Sequence, residues 1–235
     1  MGAGYRMIAR GKREAEVLIY EDVGGWFGGV TAKDFYADLR ALGDGVETLN
    51  VRINSMGGEV FEGLAIYRHL AEHAARKVVH VDGIAASIAS IIAMAGNEIR
   101  VAEAGRMMIH DAAGMAWGTA EAMRETADRL DSITGSLTDI YVARTGAKRE
   151  QVREWMQAET WFTASDAVAN GFATTVAENI RVAACGFDPL KHKHIRRPPA
   201  GLAAAPLSRP QRDAFAARVA SQRARLTDPA RRGGQ

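Results

Sequence analysis

The sequence predicts an α/β protein built on a parallel sheet. Short runs rich in β-branched residues alternate with helical patterns from about residue 15 to residue 178. Strand–helix–strand repetition implies parallel pairing through right-handed crossovers. With 235 residues, 47% hydrophobic and 25% charged, the chain can build one substantial core plus an appendage.

Residues 1–14 are polar and expected to fray. Ala15 to Tyr20 reads as the first strand, ended by Glu21-Asp22. The glycine-rich stretch Gly24 to Gly29 lacks both phosphate-loop spacings, so it reads as a turn around Trp26 and Phe27. Thr31 with Asp34 starts a helix whose Phe35, Leu39 and Leu42 share a face, and Gly43 and Gly45 stop it. Leu49 to Ile53 is the second strand. Asn54-Ser55-Met56-Gly57-Gly58 follows, then a helix from about Glu59 to Arg76 with Val60, Leu64, Tyr67 and Leu70 on one side. The strand Val78 to Val81 leads through Gly83-Ile84-Ala85-Ala86-Ser87 into an apolar helix, Ile88 to Ala95. Strands at Glu98 to Ala102 and Arg106 to His110 come next. A long helix, about Thr119 to Arg144, carries Met123, Ala127, Leu130, Ile133, Leu137 and Ile140 as a stripe, with Gly146 as its stop. A helix from Arg149 to Gln157 follows. Thr163 and Asp166 form a variant capping box for a last helix, Ala164 to Asn170.

Charge divides the chain. Residues 191–235 hold eleven Lys/Arg against two Asp, whereas residues 1–190 hold 19 Lys/Arg against 26 Asp/Glu. We read 185–235 as a linker and a mostly disordered basic tail, with one helical pattern from Gln211 to Arg225. Such a tail is either a solvated extension or a dock for an acidic partner protein. Its few aromatic residues argue against specific nucleic-acid recognition. The lone Cys185 excludes an intrachain disulfide framework. The basic N-terminus has no apolar run after it, so it does not read as a signal peptide, and no apolar stretch is long enough to span a membrane. A cytoplasmic protein is expected.

Three places carry candidate chemistry. Ser87 sits where a buried strand turns into a buried helix among small residues. Read alone it is an N-cap, or a nucleophile whose oxyanion would meet unpaired helix amides. His110 ends a strand downstream. Gly57-Gly58 lies at a strand's C-terminal end, where ligands bind in parallel α/β sheets and where glycine amides can face a substrate. Among acids that could orient His110, Asp111 points to the opposite face of its strand, and Asp166 is taken by the capping box. Glu159 lies in a turn between two helices and is the candidate. No His, Cys or acidic residues fall at metal spacing, so neither a metal nor a cofactor is expected.

The segments Ile53 to Gly58, Gly83 to Ser87, Met107 to His110 and Thr163 to Phe172 together resemble the ordered signature of the ClpP family of serine peptidases, over about residues 15–178. Asp22 to Trp26 and Glu159-Thr160-Trp161 most resemble the ClpP-like head maturation proteases of phages. The resemblance implies a ClpP/crotonase-like spiral of βαβ units at 15–184 with a protruding long handle helix. It implies Ser87 as nucleophile, His110 as base, Glu159 in a place usually held by aspartate, and the Gly58 and Ile88 amides as oxyanion hole. It also implies protein or peptide substrates, capsid or scaffold proteins among them, and a heptameric or tetradecameric ring. The alternatives are a crotonase-like acyl-CoA enzyme, an inactive structural ring subunit, and a Ser–Lys peptidase using Lys77.

Overall fold

The computed structural model describes residues 5–10, 13–25, 29–43 and 45–177. The basic tail, Cys185 and the pair Trp26 and Phe27 lie outside the described residues. The described chain runs β1 (Tyr5–Ala9), β2 (Glu14–Ile19), α1 (Ala32–Ala41), β3 (Thr48–Ser55), α2 (Val60–Glu72), β4 (Arg76–Ala86), α3 (Ile88–Ala93), β5 (Glu98–Ala102) and β6 (Arg106–Ile109). It continues as α4 (Ala120–Thr145), α5 (Arg149–Gln157), β7 (Thr160–Thr163), α6 (Ala164–Ala169) and β8 (Thr175–Ala177). The expected α/β repetition is present.

The described strands form one sheet in the order β1-β2-β3-β4-β5-β8, with β6 paired to β4 and β7 to β6. Pairing from β2 through β5 to β8 is parallel, and only β1 and β7 join antiparallel. Alternate residues of the parallel strands, Val17, Ile19, Val51, Ile53, Val79, Val81, Ile99 and Val101, are fully buried. They share one apolar cluster with Phe35 and Leu39 of α1, Ile66 and Leu70 of α2, and Ile91 and Ile92 of α3. That period of two along each strand is what one buried sheet face requires.

Strand β4 organises the site. Its first half pairs with β5 through Val78–Val81, and its second half pairs with β6 through Ile84–Ala86. The expected strand ended at Val81, so residues read as a turn are strand. Gly83 and the small Ala85 and Ala86 concealed the strand pattern, because β propensity is weak in small residues.

Three further differences have physical causes. The N-terminus does not fray entirely: Tyr5–Ala9 pairs antiparallel with β2, and the Tyr5 ring packs on Phe35 at 5.6 Å. Glu159 lies between α5 and β7, because Thr160–Thr163 pairs with β6 and is not a helix-to-helix turn. The short β8 completes the sheet against β5. Only the second half of α4 packs on the body, through Thr134, Leu137, Thr138 and Tyr141; Met123 in its first half is exposed. Gly146 stops α4 with φ 68°, as expected. Among the described residues no helix is long and apolar enough to cross a membrane.

Candidate active site

Two parallel strands end side by side at the site. The register pairs Ala86 with Met108, so Ser87 leaves β4 where β6 runs out. The Ser87 N–H donates to the Met108 carbonyl at 2.9 Å. His110 thus arrives beside Ser87, and its Nε2 lies 2.7 Å from Ser87 Oγ.

Ser87 has φ 52° and ψ −129°, a left-handed conformation rare for a residue with a side chain. Such a residue persists only where its surroundings over-determine it, at a cost of order 1–3 kcal/mol. Here the turn from strand to helix thrusts Oγ toward His110. Ser87 stands at the N-cap position of α3, as read, but makes no side-chain cap bond; its hydroxyl is committed to the imidazole.

The Gly57-Gly58 turn is brought to Ser87 by a shift in the β3–β4 register between Ile53 and Ser55. Both glycines have positive φ, 102° and 144°. A Cβ on Gly57 would lie 2.7 Å from Ser87 Cβ, and one on Gly58 would lie 2.0 Å from the Val23 carbonyl oxygen. Only glycine fits either place. Val23 braces this turn: its N–H donates to Gly57 O at 2.7 Å, and its carbonyl accepts from Glu59 N–H at 2.8 Å. Sequence reading missed this role for the base of the glycine-rich loop. Neither the Gly58 nor the Ile88 amide has a hydrogen-bond partner among the described residues.

Gly58, Val60, Ser87, Ile88, His110 and Leu137 line a pocket of about 100 Å³ with Tyr141 at its side. Leu137 and Tyr141 come from α4. Leu137 was visible in the helical stripe; Tyr141, four residues on, continues that face and was overlooked.

Burial pushes the His110 pKa below the ordinary imidazole value, while the negative charges of Glu159 and Asp111 pull it back up. No carboxylate is hydrogen-bonded to His110 among the described residues; its bond is the one to Ser87. Glu159, held at φ 49°, accepts from Trp161 Nε1 at 3.3 Å. Asp111 is paired with Arg153 at 3.0 Å. Asp166 is occupied as expected, accepting from Thr163 N–H at 3.2 Å while Thr163 Oγ1 accepts from its own N–H. Glu159 is thus within electrostatic reach of His110 without touching it.

Lys77 lies ten residues before Ser87 on one extended strand, about 30 Å away. Its ammonium donates to the His73 carbonyl at 2.9 Å. That geometry removes the Ser–Lys alternative. His80 faces Asn50 at 3.3 Å, and His69 stacks near Tyr36. Among the described residues no cluster of His, Cys, Asp and Glu could hold a metal ion.

The family model for Clp protease matches residues 5–180. The chain belongs to the Clp protease family. Its Clp relatives include proteolytic subunit 3 of the ATP-dependent Clp protease of Rhodococcus jostii, 31% identical over 60% of this chain and 71% of the relative. The proteolytic subunit from Epifagus virginiana is 35% identical over 58% of this chain and 71% of its own length. Among solved structures, a point mutant of ClpP1 from Listeria monocytogenes superposes with a TM-score of 0.62 at 23% identity, covering 70% of this chain and 91% of that one. That likeness shows that this Clp-family chain has the ClpP fold, in agreement with the fold expected from its motifs.

Proposed function

We propose that the chain is a serine endopeptidase. Ser87 Oγ attacks a peptide carbonyl while His110 Nε2 takes its proton. The negative oxygen of the tetrahedral intermediate is met by the Gly58 and Ile88 amides. Collapse expels the amine, which receives the proton from His110, and water then hydrolyses the acyl-enzyme. Glu159 serves as the acid behind His110, acting by its charge. The observation that carries this reading is the 2.7 Å contact between Ser87 Oγ and His110 Nε2, beside two amides that have no partner among the described residues. An acyl-CoA enzyme has no use for that pair, and no feature of the site favours it.

The chemistry consumes no ATP, so peptide cleavage is ATP-independent; ATPase assistance would serve only to unfold substrates. The exposed first half of α4, with Met115 and Trp117 95% and 98% exposed just before it, supports assembly into a homo-oligomeric ring. The likeness of Glu159-Thr160-Trp161 to phage head maturation proteases supports capsid or scaffold proteins as substrates, cleaved in the host cytoplasm.

A fluorophosphonate probe tests the chemistry. The native protein should take up one probe per chain on Ser87, and Ser87→Ala should take up none. Labelling that survives in Ser87→Ala would overturn the assignment, and no labelling in an assembled ring would favour an inactive structural subunit. Native mass on the same sample reads the ring size. Cleavage of casein but of no phage head protein would remove the narrower substrate reading.

A further inference from the structure

Next to Ser87 lies a buried pair of hydroxyls, those of Ser90 and Tyr141, that the proposed chemistry does not use. Ser90 Oγ donates to the Ser87 carbonyl at 2.6 Å, and the Ser90 N–H reaches the same oxygen at 3.0 Å. With its one proton so engaged, Ser90 Oγ accepts from the Tyr141 hydroxyl, 2.7 Å away. Tyr141 is fully buried against Phe172, with ring centroids 5.7 Å apart, so a phenylalanine would fill the same space. Burial holds its hydroxyl protonated, as a donor must be.

The peptide bond makes this contact consequential. In a trans peptide the C=O of one residue and the N–H of the next point in opposite directions. The Ser87 carbonyl and the Ile88 amide belong to one such unit. Drawing the carbonyl inward to Ser90 turns the Ile88 N–H outward, toward the pocket that Ile88 lines with Gly58 and Ser87. Earlier on α4, buried Thr134 Oγ1 accepts from the Ala112 N–H at 3.0 Å, two residues after His110. Helix α4 therefore grips the chain at both strand ends.

We propose that Ser90 and Tyr141 are positioning residues that aim the Ile88 amide at the oxyanion by holding the Ser87 carbonyl, so that α4 sets the geometry of the hole. This rests on Ser87 being the nucleophile.

The test uses Tyr141→Phe, Ser90→Ala and the double variant in the full chain, each checked for a native circular-dichroism spectrum. The loss of one hydroxyl bond should lower kcat about tenfold and weaken a peptide aldehyde inhibitor by a similar factor. The pH at which activity falls in acid should not move, because His110 and the acids near it are unaltered. The double variant should be no worse than either single one, since the two hydroxyls act as a unit. Unchanged kcat and aldehyde affinity would overturn the proposal, as would multiplicative losses in the double variant. If the parent fails to react with fluorophosphonate, the nucleophile assignment fails separately. The Ile88 amide resonance then still decides the positioning: it shifts in Tyr141→Phe if the pair orients that peptide, and stays if it does not.

Discussion

His110 is governed by three neighbours of opposite effect. Burial lowers its pKa, and Glu159 and Asp111 raise it. In its proposed role as base it must be neutral, so the acid limb of kcat/KM should lie below the ordinary imidazole value of about 6.5. Replacing Glu159 by Gln removes a charge that favours the imidazolium. The limb should then move to still lower pH while the plateau rate falls, as pH–rate profiles would show. Asp111→Asn and Asp166→Asn should barely change the plateau, because those carboxylates are engaged by Arg153 and by Thr163. A large plateau loss in Asp111→Asn would transfer the role. Ser87 and His110 were legible in the sequence because each follows a strand of recognisable composition. The left-handed backbone of Glu159 was not, since nothing in Gln157-Ala158-Glu159-Thr160 announces a positive φ.

Helices and strands were legible to the degree that their patterns are local. Helix α5 begins and ends where its pattern does, and the Thr163–Asp166 capping box forms as read. Thr163→Ala should therefore lower stability by about 1 kcal/mol, the usual loss for an N-cap, with activity per folded molecule retained. Urea denaturation checks the first and probe labelling the second. An equal loss from Thr163→Ser would show that the methyl, not the hydroxyl, matters. The strands that sequence reading missed, β1, β7 and β8, share a property: each is short and sits at a sheet edge or end. Their stability comes from a partner strand, which no local pattern displays. For the same reason β4 was read too short.

Across the molecule, four rings join segments distant in sequence. Phe172 lies 4.7 Å from Phe162, 5.7 Å from Tyr141 and 5.8 Å from Trp155, tying α4, α5 and β7 together. Because Phe172 is fully buried, Phe172→Ala should cost about 3–5 kcal/mol, read from urea denaturation. It should also slow probe labelling, since Tyr141 loses its backing; labelling at the parent rate would show that Tyr141 is held by other contacts. The alternation of strands and helices, the strand ends bearing Ser87, His110 and Gly57-Gly58, and the caps were all present in the chain as periodicity and turn chemistry. Those signals act over a few residues and need no partner. Which strand ends meet was set by register: Ala86 against Met108, and the shift between Ile53 and Ser55 that carries Gly58 to the serine. Packing likewise placed the Tyr141 hydroxyl on Ser90 and turned the Ser87 hydroxyl from a helix cap to His110. Pairing and packing join residues tens of positions apart, and their energies depend on surfaces that exist only once the sheet has formed.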